Sequence, residues 1–236
     1  MADALVNTVI LVTVSTVLVI ALGVLIGVFA ASRRGGTRAD RGLVVGGSLV
    51  FWSLPTFWIG MLLIFVFAVA LNWLPIAGMY TADAIYPTFV TRISDLARHL
   101  VLPTTAMVLV DIAQFVLITR SSLVSTLSED FMTTARAKGG LHPRRVLWRH
   151  GVRNALLPVV TATTLYASAT VGGTIQVETV FSWPGGMGGQ LIYLSVVRRD
   201  YPVMEACFLI FAVVVVLANF GSDVLYRALD PRVRLT

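Results

Sequence analysis

Long uncharged runs, broken by short polar segments, set the pattern of this chain. No Asp, Glu, Lys or Arg falls between Asp3 and Arg33, between Arg41 and Asp83, between Arg153 and Glu178, or between Glu205 and Asp223. Between Arg98 and Arg120 the one charge is Asp111. The runs lack the two-residue alternation of barrel strands, and a helix that crosses a bilayer needs about 20 apolar residues. Helices also satisfy their backbone hydrogen bonds within the segment, as lipid demands. The pattern therefore predicts an all-α integral membrane chain with five transmembrane helices, at about 6–31, 43–71, 101–126, 156–179 and 204–226, in a single domain over 1–236. The second run is longer than one span requires but carries no turn signature. It predicts one helix kinked near Pro55, then an interfacial segment around Trp73 and Pro75.

Composition agrees with that picture. The chain is 57% hydrophobic and 13% charged, with a mean hydropathy of +0.85. Soluble domains carry roughly 25% charged residues, and a soluble core of this length could not hide so many apolar side chains. The lone Cys207 lies inside the last run and reads as a small buried side chain. No Cys/His cluster has metal-ligand spacing; His142 and His150 sit eight apart on a basic segment, where a solvated role fits better.

Charge asymmetry orients the chain. Arg33, Arg34, Arg38 and Arg41 fill the first loop, six basic residues the third, and Arg227, Arg232 and Arg234 the C-terminal tail; the second and fourth loops hold only Arg92, Arg98, Arg198 and Arg199. Basic loops stay cytoplasmic, which places loops one and three and the C-terminus inside and, with five spans, the N-terminus outside. The opening MADAL carries no export signal, so this orientation leads us to expect a helix ahead of residue 1.

The most charged stretch, TTARAKGGLHPRRVLWRHGVRNALLP (133–158), holds six Lys and Arg, two of the three His and no acid. A nucleic-acid interface is disfavoured: Trp148 is its sole aromatic, and it hangs from a membrane protein. Attraction to lipid headgroups accounts for the charge, at about 1 kcal/mol per basic residue, but not for the pattern. An Ala-rich helical turn stops at Gly139 and Gly140. A basic segment follows with Val146, Leu147 and Val152 as its apolar positions, and RNALLP leads into the next span with Pro158 in its first turn. Two short helices with a glycine joint suit docking into a groove on another protein.

DFMTTARAKG followed by RHGVRNALLPVV resembles the cytoplasmic coupling loop, about 129–154, of permease subunits of bacterial ABC importers, the dipeptide/oligopeptide group in particular. SLPTFWIGMLLI and WLPIAGMY resemble the B-type permease of that group, and ITRSSL, VETVFSWPGGMG, RRDYPV and ALDPRVR follow in the expected order. The likeness runs from about residue 8 to the C-terminus. The group's first helix and external segment are expected ahead of residue 1, and the loop departs from the group in being one residue longer at Gly139–Gly140. The resemblance implies the type I permease fold and a multi-pass bacterial inner-membrane location. It implies a C-type second permease, two cytoplasmic ATPase subunits that bind the ATP and Mg, and an extracytoplasmic substrate-binding protein as partners. The chain itself would hold no cofactor and catalyse nothing. Thr134, Ala135, Arg136, Ala137, Lys138, Gly139, Gly140, Arg153, Asn154 and Pro158 would couple it to an ATPase. Peptides are the implied substrate, with nickel chelates, glutathione and some sugars also carried in the group.

Polar residues within the spans are the candidates for handling substrate. Asp111 falls near the middle of the third span with Gln114 on the same helix face. An ionisable group at that depth points to function, with an interhelical hydrogen bond as the equal alternative. Arg120 is expected to snorkel, Asn219 and Asp223 to pair near the inner interface, and Glu178 and Glu205 to be solvated boundary residues. GGMGG, at 185–189, lacks a following Lys-Ser/Thr and reads as a tight-turning loop, not a phosphate cradle. The rival function is a secondary transporter or channel working without an ATPase. Such carriers often show inverted repeats, and none is evident. An integral-membrane enzyme lacks any cluster of His, Cys or paired carboxylates at a membrane face.

Overall fold

A computed structural model describes residues 2–32, 46–137, 143–184 and 191–229. The described elements are all helical. Helix α1 (Ala2–Ser32) is followed by α2 (Gly46–Trp52) and α3 (Thr56–Leu63), which widens into a π-helix over Ile64–Ala70. Helix α4 (Phe89–Thr126) leads to α5 (Asp130–Ala137) and α6. The latter, 143–155, begins as Pro143–Val146, opens into a π-helix over Leu147–Val152 and closes with Arg153–Ala155. Then come α7 (Leu157–Val180), α8 (Tyr193–Arg198) and α9 (Tyr201–Leu229). The first loop, the C-terminal tail, Lys138 to Gly140 and the glycine-rich 185–189 lie outside the described residues.

Among the described residues, α1, α4 and Tyr201–Gly221 of α9 are each long and apolar enough to cross a membrane, and α2 with α3 makes a fourth if the bent pair is one span. The kink expected near Pro55 is a turn of 97°. Proline cannot donate to the preceding turn, and the chain closes there through Ser53 N–H to Leu49 O and Leu54 N–H to Phe51 O. Helix α7 does not reach the same apolarity, because Thr, Ser and Gly recur along its 24 residues. It packs among α1, α3, α4 and α9.

Helix α4 is the axis. Its 38 residues extend about 57 Å, nearly twice the roughly 30 Å hydrocarbon core, so its charged first turns stand clear of the bilayer. Thr88 caps its start by accepting from Thr91 N–H. Pro103 lies inside without ending it. Helix α1 lies along α4, and the reason is two glycines one turn apart. A Cβ on Gly27 would stand 2.6 Å from Thr119 Cβ, and one on Gly23 would collide with Phe115 Cβ. Small residues spaced by four let membrane helices touch backbone to backbone, where packing replaces a missing hydrophobic drive.

Three cores stack along this pair. At the end where α4 begins, Ile59, Met107, Val110, Phe181 and Trp183 close around Leu11. In the middle, Val19, Phe115, Val159, Ala162 and Tyr166 meet. At the far end, Val28, Ala31, Leu123 and Leu127 receive Met132, Val146, Val152 and Ala155. Cys207 is fully buried against Ala4, the small-core role its sequence context suggests.

Gly27→Leu should force α1 off α4 and cost about 1–3 kcal/mol, the usual cost of overpacking. Gly46→Ala, where an added Cβ meets nothing within 4 Å, is the control. Thermal unfolding of the purified protein in detergent measures both; an unshifted midpoint for Gly27→Leu would show that the close approach contributes nothing.

Candidate functional site

At the far end of α4, α5 and α6 fold back beneath the bundle as one packed unit. Met132, only 1% exposed, is the knob by which α5 enters the core formed by Leu123, Leu127 and Val28, with Ala135 half-buried beside it. Helix α6 is held just as closely. Val146 and Val152 are buried, Ser122 Oγ donates to Ala155 O at 2.8 Å, and Gly151 brings its backbone against Leu123 and Leu127. The π-helix adds a residue to its turn, a device common at functional sites. It leaves Trp148 (51% exposed) and Arg149 facing away from the bundle.

The sequence-expected coupling residues divide accordingly. Thr134 and Ala137 are exposed, and Thr134 Oγ1 donates back to Asp130 O at 3.2 Å. Arg153, Asn154 and Pro158 are also exposed, with Asn154 Nδ2 donating to His150 O at 3.0 Å. Ala135 is turned inward instead. Arg136 belongs to α5, its side chain outside the described set, and Lys138, Gly139 and Gly140 lie outside it altogether.

In the middle of the bundle, Asp111 Oδ2 accepts a hydrogen bond from Tyr166 Oη at 2.7 Å, tying α4 to α7. The Tyr166 ring meets Phe115 edge-on at 5.3 Å. Gln114 is half-buried and joins neither group. Arg120 is half-buried, and its Nε is buried without a hydrogen-bond partner among the described residues.

Near the end where α4 begins, Glu178 corrects an expectation. It is no solvated boundary residue but 2% exposed, and it accepts from Thr8 Oγ1 at 2.6 Å. Its buried position follows from a clasp that sequence reading missed. Trp183 Nε1 donates to Asn7 O at 3.0 Å, Asn7 Nδ2 donates to Pro184 O at 2.8 Å, and Gly78 N–H reaches Phe181 O at 2.9 Å. The signal was present in Asn7 and Thr8, two polar residues early in an uncharged run. Just beyond the clasp, Asp95 accepts from Thr81 N and Oγ1 and from Tyr86 Oη. Burial pushes its carboxyl up, but the Tyr86 and Thr81 hydrogen bonds outweigh this and hold it at about 2. One turn earlier, Arg92 stacks over the Tyr80 ring at 5.2 Å. The two line a cleft of about 550 Å³ with Tyr86, Pro87, Thr88 and Phe89.

A second missed feature is the free face of α7. Thr161, Leu165, Ala169, Gln176 and Thr179 all point out of the bundle. The free faces of α1, α3 and α9 carry Val, Leu, Phe, Trp and Met. Among the described residues, the free face of α7 is the one of these that carries an amide, Gln176.

The chain is similar to known proteins. The family described as binding-protein-dependent transport system inner membrane component matches residues 23–235. The oligopeptide transport system permease protein AppB of Bacillus subtilis (strain 168) is 39% identical over 227 residues, covering 96% of this chain and 69% of that protein. The di/tripeptide transport system permease protein DppB of Pseudomonas aeruginosa (strain UCBPP-PA14) is 39% identical over 225 residues, with coverages of 90% and 66%. The glutathione transport system permease protein GsiC of Escherichia coli (strain K12) is 40% identical over 222 residues, with 93% and 65%. The chain spans about two thirds of the length of these curated relatives. Among solved structures, a chain of the inward-facing MetNI methionine ABC transporter superposes with a TM-score of 0.73 at 18% identity, over 98% of this chain and 96% of that one. The fold is the type I permease fold of ABC importers.

The Asp111–Tyr166 bond yields a direct test. Interhelical hydrogen bonds in membranes contribute about 0.6 kcal/mol on average and up to about 1.7. Tyr166→Phe and Asp111→Ala should each destabilise by an amount in that range, and the double variant by no more than the larger single effect. Full additivity in a thermal-unfolding double-mutant cycle would show that the bond carries no coupling.

Proposed function

This chain belongs to the family of binding-protein-dependent transport system inner membrane components, and on that premise we propose that it is one permease subunit of an ATP-driven importer for peptides. A second, C-type permease completes the pathway, two cytoplasmic ATPase subunits bind ATP and Mg and supply the work, and an extracytoplasmic binding protein delivers substrate. The permease relatives named for oligopeptide and di/tripeptide transport support the peptide reading; the relative named for glutathione transport carries a small peptide as well.

The observation that carries the coupling role is the construction of α5. One face is sunk into the bundle through Met132, while Thr133, Thr134 and Ala137 are presented outward. A helix so seated is a lever: a partner that grips the exposed face moves Met132, and Met132 moves the ends of α1 and α4 with it. Asn154 and the exposed Trp148 and Arg149 of α6 widen the same docking face. In this reading the chain crosses the membrane five times, with α7 as the fourth crossing, and α5, α6 and the C-terminus are cytoplasmic. The polar face of α7 lines the water-filled path between the two permeases, because lipid does not solvate an exposed Gln176 amide. The Arg92 cleft lies on the external side, where the binding protein arrives. A carrier working alone would have no use for a basic lever packed under its bundle, and no inverted repeat supports that rival.

Cysteine cross-linking tests the reading. Thr134→Cys in the assembled transporter should form a cross-link to the ATPase subunit and stay shielded from impermeant thiol reagents in intact cells, whereas Tyr80→Cys should label from outside. Labelling of Thr134→Cys from outside, or uptake that persists when the ATPase subunit is inactivated, would overturn the assignment.

A further inference from the structure

A groove of about 530 Å³ runs between α1 and α7 in the half of the bundle nearest α5 and α6. Ile20, Ala21, Val24 and Leu25 form one wall, Leu156, Leu157, Val159 and Val160 the other, and Arg153 stands at its end. Thr163, at the opposite end, spends its hydroxyl on Val159 O at 2.9 Å, so the groove between is apolar. Its volume is that of an ordinary ligand pocket, and it opens sideways, since Ala21 and Leu25 are exposed.

Two features specify the occupant. The first is length. Residues 153 to 163 rise about 15 Å, half of a hydrocarbon core of roughly 30 Å. The groove therefore has the depth of one leaflet, with its cation at headgroup level. The second is charge. Arg153 is exposed and makes no ion pair among the described residues, and exposed Arg149 lies one turn before it on the same helix. Both belong to the stretch 133–158, which contains no acid. Basic pockets between transmembrane helices on the cytoplasmic side bind anionic lipid headgroups.

We propose that this groove is a binding site for an anionic phospholipid of the inner leaflet, with its phosphate on Arg153 and one acyl chain between α1 and α7. The lipid fills space that the helices leave open beside Ala21 and Val24, so it braces α1 against α7 directly above the α5–α6 unit. The proposal rests on the membrane embedding of the chain and not on the identity of the transported substrate.

Native mass spectrometry of the purified, assembled transporter tests it, with palmitoyl-oleoyl phosphatidylglycerol and phosphatidylcholine as probes. The wild type should retain phosphatidylglycerol in preference to phosphatidylcholine. Arg153→Gln should lower that retention about fivefold, the factor that one basic contact at a lipid surface contributes. Ala21→Trp, which fills the groove without touching the charge, should lower retention of both lipids. Glycerol phosphate added in excess should not displace the bound lipid, because the acyl chain holds it. Equal retention of the two lipids, or retention unchanged in both variants, would overturn the proposal. So would a cross-link from Ala21→Cys to the partner permease, which would show that a protein helix fills the groove. Should Ala21→Trp fail to assemble, Ala21→Leu makes the same steric test with a smaller side chain.

Discussion

Everything else in this fold hangs on the backbone-close contact of α1 with α4. Gly23 and Gly27 remove the Cβ atoms that would otherwise meet Phe115 and Thr119, and in lipid, where apolar side chains gain nothing by leaving solvent, such van der Waals fit is a main source of helix affinity. The pair then acts as a strut. One end of α1 reaches Glu178 and Trp183 through Thr8 and Asn7; the other offers Val28 and Ala31 to the core that seats Met132. A shift of α5 is therefore felt along both helices instead of being absorbed at the bundle's edge.

The intramembrane polar groups divide by what satisfies them. Asp111 and Glu178 are held by Tyr166 and Thr8, each from a different helix, and so they pin the bundle. Thr104, Thr163 and Thr170 return their hydroxyls to backbone carbonyls a turn earlier, which neutralises their polarity at little cost to the helix. Gln176 has no such arrangement and faces outward. On the proposed function its partner is the water or substrate of the path, which moves the search for specificity from α4 to α7.

The two ends of the molecule are built for different tasks. Where α4 begins, rigid polar clasps hold the chain: Asp95 with Thr81 and Tyr86, Trp183 with Asn7. Where it ends, the contacts are mostly apolar knobs, Met132, Val146 and Val152, which can slide and repack without breaking many directional bonds. That difference suits one end to receiving a partner and the other to passing on a movement.

The uncharged runs by themselves determined that the chain is helical and membrane-embedded, because in lipid few other solutions satisfy the backbone. The basic stretch with its apolar positions at Val146 and Val152 marked a segment shaped for docking, and the structure packs both of those valines against Leu123 and Leu127. What the sequence could not decide was rotation about each helix axis. In a run apolar on every side, no moment distinguishes the face turned to lipid from the face turned to a neighbour. Asp111 therefore read equally as pathway or as glue, and its hydrogen-bond partner Tyr166, 55 residues away, could not be named. Glu178 read as a wet boundary until Thr8, 170 residues away, was found beside it. That Ala135 is half-buried beside Met132 was likewise not legible. Each of these depends on which helices become neighbours, and that is set by close packing at sites such as Gly23 and Gly27, whose meaning appears only when Phe115 and Thr119 are brought against them.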